Sequence, residues 1–320
     1  MATINYATEY SRALAQAYPY VLNFGDLYAT PNNGRYRFVN AKTIEIPSIT
    51  VGGRVNSNRD TIATATRNYD NAWEPKTLSN QRKWSTLVHP QDIDQTNQVA
   101  SIQNITQVMN EEQKFPEMDA YLVSKVYADW VAQSHTANTT ALSSANVLTV
   151  FDALMKAMTK KRVNPNGRIL YVTPDVDELI KNAQQITRSF SVQNGSSEIN
   201  RVIKSLDQVK VNVVPPELML TAYNFSSGWA PGTTAKQIKM FLVHPNAVIT
   251  PVSYQFAQLD PPSAGSEGKY VYFEESFEDV FILNKKSDGI QFVVSDTLEI
   301  ETTTSQPDAD DEQKETQGNG

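Results

Sequence analysis

At 320 residues, with 40% hydrophobic content and 9% aromatics, the chain can bury a core in one large domain or two ordinary ones, which excludes wholesale disorder. No cysteine is present, so disulfides and thiolate chemistry are both excluded. The net charge of −7 argues against a protein built to grip phosphates, and most of it sits in the final stretch ETTTSQPDADDEQKETQGNG, read as a solvated acidic tail.

The start, MATINYATEYSRALAQAYPY, has no basic segment followed by an apolar run, so it does not read as a secretory signal. No window approaches the ~18 consecutive apolar residues of a membrane helix, and a soluble, unexported chain is expected. Tyr6, Tyr10, Ala13, Leu14 and Ala17 share one face of a short helix, followed by an extended PNNGRYRFVN. KTIEIPSITVGG then reads as a half-buried strand. Ile44, Ile46, Ser48 and Thr50 take one face, Thr43, Glu45, Ile49 and Val51 the other, and a double glycine breaks it.

The next stretch, RVNSNRDTIATATRNYDNAWEP, is a long polar excursion of the kind a compact domain rarely carries without a use for it. A second strand-like run returns from Lys76 to Val88, so two strands are read here with a long polar arm between them. Arg54, Arg59, Arg67, Arg82 and Lys83 cluster on that arm with Tyr69, Trp73 and Trp84. Such a set stacks bases and holds phosphate, or anchors a protein interface. With no further nucleic-acid signal, protein contact ranks first, with Trp73 and Trp84 as the expected anchors.

From Asp92 the pattern turns helical. Val99, Ile102, Ile105 and Met109 recur every three or four residues, with Asp94 and Thr96 available as caps. Gln98, Gln103, Asn104 and Gln107 form an amide-rich opposite face, which is either a contact surface or a solvated one. Phe115-Pro116 is expected to interrupt this helix, and a second begins there with Met118, Leu122, Val126 and Trp130 inward. A third runs from about 145 to 160, capped by Ser143 or Ser144, and ends in the turn NPNG. RILYVTPDVDELI reads as a buried strand, Thr173 as N-cap, and a helix opened by Pro174. A helix near Ile199–Leu206, a strand VKVNVV and the break PPELML follow, and Lys269 to Val294 reads as one long hairpin turning at Lys286–Gly289. The class is α+β, without regular βαβ alternation.

No constellation for chemistry stands out. His89, His135 and His244 lack partners at ligand spacing, and there is no P-loop, GxGxxG or HExxH. GSEG at Gly265–Gly268 is not the hydrolase elbow GxSxG. Glu274, Glu275, Glu278 and Asp279 are dense carboxylates that read as a wet strand face ahead of a cation site or an acid–base pair. Catalytic, metal and cofactor residues are therefore expected to be absent.

Taken in order, INYATEYSRAL, NAKTIEIPSI with its polar connection, SNQRKWSTLVHPQDIDQTN, QVMNEEQKFPEMDAYLVSKVYADW, RILYVTPDVDELI, LDQVKVNVVPPELM and FLVHPNAVITPVSY resemble, over nearly the whole chain, the major capsid protein of tailed bacteriophages. The likeness is to a siphophage-type branch of the Hong Kong 97 fold. It implies an N-terminal arm (1–40), an extended two-stranded loop (41–90), and a spine helix with the first part of a peripheral domain (91–141). An axial domain (142–252), a returning peripheral hairpin (253–298) and an acidic disordered tail (299–320) complete the implied layout.

The resemblance implies self-assembly as pentamers and hexamers into an icosahedral shell around double-stranded DNA, in a virion assembled in the bacterial cytoplasm. Implied partners are further copies of the chain, a portal protein at one vertex, and packaged DNA through weak non-specific contact; no membrane is involved. Because the likeness begins almost at Met1, a separate scaffolding protein is expected in place of a cleaved leading segment. Lys76 and Lys83 lie away from the apparent loop tip, so covalent cross-linking is not expected. Subunit contacts are expected through Arg54, Arg59, Arg67, Tyr69, Trp73, Arg82 and Trp84 on the loop, and through Gln98, Gln103, Asn104 and Gln107 on the spine. The alternative is a nanocompartment shell on the same fold, enclosing a protein cargo.

Overall fold

The structure, a computed structural model, describes residues 20–56, 67–95, 101–183 and 205–299. The expected N-terminal helix, the loop tip with Arg59, the spine position Gln98 and the acidic tail lie outside the described residues.

The chain passes from Tyr20 through a single helical turn, α1 (Gly25–Tyr28), to strands β1 (Arg37–Asn40) and β2 (Thr43–Val51). After the loop come β3 (Tyr69–Thr77) and β4 (Gln81–Val88), then α2 (Pro90–Gln95) and α3 (Ile102–Met109). A π-helical stretch, Asn110–Lys114, joins α3 to α4 (Phe115–Ala132), and α5 (Val147–Lys160), β5 (Ile169–Val172) and α6 (Pro174–Asn182) follow. The rest is mostly strand: β6 (Ser205–Leu206), β7 (Val209–Val213), β8 (Tyr223–Asn224), β9 (Ala230–Pro231), β10 (Gln237–Val243) and β11 (Val248–Ile249). Last come β12 (Val252–Asp260), β13 (Tyr270–Glu278), β14 (Phe281–Ile282) and β15 (Ile290–Ser295).

The main core surrounds a five-stranded sheet ordered β15-β10-β5-β7-β6, in which only β5 and β7 run parallel. Both faces are covered, which is why RILYV reads as an unbroken apolar run. Ile169 and Tyr171 point to a cluster with Phe24, Leu27, Leu122, Val126 and Trp130. Leu170 and Val172 point to the opposite cluster, with Phe151, Leu154 and Met158 of α5 and Ile180 of α6. α6 starts as expected, with Thr173 as N-cap and Pro174 in the first turn, although the Thr173 hydroxyl makes no capping bond.

Two smaller three-stranded sheets carry the arm and the flank of the long helix, ordered β1-β2-β3 and β12-β13-β4. They correct the sequence reading of the arm. The strand paired with β2 is β3, from within the polar excursion, in continuous register from Thr43↔Thr77 to Val51↔Tyr69. The run expected to return along the arm supplies β4, which pairs with β13. Alternation reports one-sided burial, and β3 has neither face well buried, so its sequence carries no alternating signal. β1 ends its pairing with β2 before Pro47, which has no N–H to donate.

The long hairpin expected over Lys269–Val294 does not form. β13 pairs with β12 and β4, while β15 crosses to the edge of the five-stranded sheet against β10. The expected turn lies in a 3₁₀ stretch, Asn284–Gly289, that carries the chain between the two sheets. Leu206 lies in the short strand β6, not in a helix.

The helix is not interrupted at Phe115-Pro116 either. Inside an α-helix the proline ring would collide with the carbonyl four residues back and leave it without a donor. The wider π turn relieves that clash, with Phe115 N–H bonded to Asn110 O, and the axis continues through α4. The expected caps also shift. Ser101 caps α3 by accepting from Asn104 N–H, Asp94 falls inside α2, and the N-cap of α5 is Asn146.

Candidate functional site

The β2–β3 arm is the most distinctive surface. Its base is held by a small cluster of Ile44, Ile46, Leu78, Ile249, Phe277 and Phe281. Beyond Ile46 the buried face passes to Ser48 and Thr50, while Ile49 and Val51 on the other face, and Val55 past the strand, are exposed at 63%, 67% and 91%. Lys285 reaches across to donate to Ile49 O at 2.9 Å and Thr50 Oγ1 at 3.2 Å, and Lys76 donates to Asn284 Oδ1 at 2.9 Å. The arm is thus tethered at its base and again at Ile49 and Thr50, while the Ile49 and Val51 side chains stay exposed.

The aromatic and basic residues on the arm pair locally. The Arg37 guanidinium lies 3.8 Å from the centre of the Trp73 ring and bonds Glu45, one Oε at 2.8 Å. Arg67 lies 4.9 Å over Tyr69 and donates to its carbonyl. Both rings stay exposed, as does Arg54. Stacked guanidinium–aromatic pairs of this kind present rigid, amphipathic area at small entropic cost.

Arg82 and Trp84 are not on the arm. Arg82 forks onto Glu117 of α4 at 2.6 and 3.0 Å and also bonds the carbonyls of Phe225 and Gly228. Trp84 packs at 5.7 Å against Tyr272, turned toward the long helix. Together with Lys114 and Glu274, paired at 3.2 Å, they line a cleft of about 720 Å³ between α4 and the β12-β13-β4 sheet. On the spine, Gln103 is exposed and Gln107 bonds Glu111, but Asn104 is buried at 5% exposure and so does not belong to a contact face.

The candidate chemical groups are engaged structurally. His244 Nδ1 accepts from Asn246 N–H to cap a 3₁₀ turn, and burial pushes its imidazole pKa down. His135 stacks on Trp130, and His89 Nδ1 accepts from Gln91 N–H. Glu274 takes Lys114 and the Tyr272 hydroxyl, and Glu275 takes Gln81. Asp279 is buried and accepts from Ser79, Tyr121 and Val280. Among the described residues no three metal-ligating side chains gather, and no helix is long and apolar enough to cross a membrane.

Two anchors escaped the sequence. Asp119, with no exposure, accepts from the Tyr20 hydroxyl at 2.6 Å and from the Asn23 and Phe24 N–H groups, and so fixes the incoming chain to α4; burial raises its carboxyl pKa against those bonds. Arg168 is buried at 1% exposure and satisfied by the carbonyls of Met155, Val163 and Asn164 and by the Thr159 hydroxyl.

This arrangement of a sheet buried on both faces, a long helix crossing one face, a second sheet at its flank and a projecting two-stranded arm is the Hong Kong 97-type fold of phage capsid proteins. Among solved structures, the chain is similar to that of Mycobacterium phage Che8, at 12% identity and TM-score 0.57, covering 88% of this chain and 92% of that one. It is similar to the bacteriophage PhiM1 mature capsid, at 13% identity and TM-score 0.59, over 80% and 83% of the two chains. The capsid of cyanophage P-SCSP1u matches at 11% identity and TM-score 0.59, over 88% and 90%. No family model matches the sequence, and no curated protein matches it.

Proposed function

We propose that this chain is a capsid shell subunit of a tailed phage. The observation that carries the reading is the arm: a nine-residue strand pair whose base is buried at Ile44 and Ile46, but whose outer apolar side chains, Ile49 and Val51, are covered by nothing among the described residues. An isolated two-stranded hairpin is marginal in water, so its buried area has to come from a neighbour. Phage capsid structures share the fold, and symmetric repetition of one contact is how such a chain builds a closed object.

In this reading the subunits assemble as pentamers and hexamers into an icosahedral shell around double-stranded DNA. A separate scaffolding protein guides assembly and a portal occupies one vertex. Arg54, Arg59, Arg67, Tyr69 and Trp73 contact the adjacent subunit, while the exposed Gln103 leaves the spine open to further contacts. Electron microscopy of particles formed with the scaffolding protein tests this. Closed shells containing nucleic acid support the phage reading, an enclosed protein replaces it with a nanocompartment, and a persistent monomer ends both.

A further inference from the structure

Strand β12 ends its sheet with an edge that no described strand covers. Exposed edges are usually blunted by lysine, proline, shortness or a cover, because their free N–H and C=O groups template pairing with another chain. The other edges show these devices. β3 carries Asp70, Glu74, Pro75 and Lys76, and β4 carries Arg82 and Lys83. β1 has four residues and β6 two, and the outer side of β15 is occupied by Asn138, which bonds Phe292 O and Val294 N–H.

β12, VSYQFAQLD, has nine residues with no basic residue and no proline, and its single charge is the terminal Asp260. Its one bulge lies at the start, between Val252 and Tyr254, so Tyr254–Asp260 is regular. Tyr254, Phe256 and Leu259 are exposed at 47%, 39% and 49%. The edge is thus regular from Tyr254 onward, free of basic residues and proline, with three large side chains exposed and its one charge at the far end.

We infer that β12 pairs antiparallel with β12 of a second copy across a two-fold axis centred on Ala257, merging two three-stranded sheets into one of six strands. This inference rests on the shell reading, in which neighbouring subunits meet under symmetry. The residue types along β12 select the occupant, because a second copy opposes no like charges and brings no proline. Centred on Ala257, the regular stretch sets Tyr254 against Asp260, Gln255 against Leu259 and Phe256 against Gln258, with no like charges opposed. The strands β3 and β4 would each bring charge onto this edge, and β3 would bring a proline without a ladder donor.

The absence of native cysteine makes the test clean. Facing residues in an antiparallel pair lie ~4.5–5.5 Å apart at Cα, within disulfide reach. Ala257→Cys particles, assembled and mildly oxidised, should lose most of their monomer band to a reducible dimer on a denaturing gel. As a second readout, mixing Phe256→Cys subunits with Gln258→Cys subunits should give dimers of the two kinds together, with little of either kind alone. Well-formed particles whose subunits remain monomeric in both experiments overturn the pairing, whatever else covers β12, and leave the shell reading standing. If the unsubstituted chain forms no particles, the shell reading falls, and the pairing with it.

Discussion

The Tyr121 hydroxyl on α4 donates to Asp279 Oδ1 at 2.8 Å, just past the end of β13, while Ser79 donates to Oδ2 from its N–H at 2.7 Å and its hydroxyl at 3.1 Å. One buried carboxylate therefore ties the long helix, the β3–β4 turn and the flanking sheet to the base of the arm. Burial, and then the Asp279 charge, push the Tyr121 phenol well above its ordinary pKa, so the donor stays protonated at every usable pH. Hydrogen bonds to a charged group contribute ~1.5–3 kcal/mol each, and an orphaned buried donor costs more than the lost bond alone. Asp279→Ala should lower subunit stability in urea by about 3 kcal/mol, and Tyr121→Phe by about half as much. Losses below ~0.5 kcal/mol in both would mean that the three elements are held by packing alone.

The two tryptophans should separate assembly from folding. Trp73 touches Arg37 and solvent at 42% exposure, so Trp73→Ala should leave the subunit within ~0.5 kcal/mol of the parent while blocking shell formation. Trp84 is half-buried against Tyr272 in the cleft beside α4, so Trp84→Ala should cost ~2–3 kcal/mol in the isolated subunit. Urea unfolding of dispersed subunits, set beside particle counts by electron microscopy, reads both effects. Normal assembly of Trp73→Ala would remove the arm's aromatic pair from the contact.

Burial was legible in the sequence; strand pairing was not. The apolar run at Ile169–Val172 lies buried on both faces, and Leu122, Val126 and Trp130 face the core as their spacing requires. β3 has little apolar content facing a core, so nothing marked it as the partner of β2. β13 and β15 follow each other closely and resemble a hairpin, yet the short 3₁₀ stretch between them sends them to different sheets, and local patterning holds no information about that crossing. Of the arm residues, Tyr69 and Trp73 do lie on the arm, in the strand β3 that the polar excursion itself supplies. Arg82 was misplaced with its strand, and its fork onto Glu117 depends on residues distant in the chain. Asn104 reads as polar surface by type, and only the packing around α3 shows it to be buried.

Arg168 gives a prediction of the opposite kind, about a charge that finds no carboxylate partner among the described residues. Its guanidinium donates to Val163 O at 2.7 Å, Asn164 O at 3.0 Å and Met155 O at 3.2 Å, closing the loop after α5, and burial lowers its pKa. The planar fork reaches several carbonyls at once, which an ammonium cannot. Arg168→Lys should therefore destabilise nearly as much as Arg168→Ala, by about 3 kcal/mol, because each strips the loop carbonyls of Val163 and Asn164 of the donors Arg168 supplies. Full stability of Arg168→Lys would show that the charge alone matters.

Glu278 sets a pH dependence whose sign follows from its surroundings. Burial raises its carboxyl pKa, Lys114 opposes the rise, and the neighbouring acids Glu117 and Asp279 add to it; Tyr28 on α1 also lies within its field. A carboxyl whose folded-state pKa is raised favours folding in its protonated form. Its contribution is present below the ordinary glutamate value of ~4.3 and is lost as pH rises through the folded-state value. Each unit of that rise removes ~1.4 kcal/mol by neutral pH. Glu278→Gln keeps the shape and removes the titration, so the variant should match the parent near pH 4 and exceed it at pH 7. Thermal unfolding of dispersed subunits across that range measures the difference. A variant less stable than the parent at pH 7 would show that Lys114 and the open side of the cleft stabilise the carboxylate more than burial penalises it.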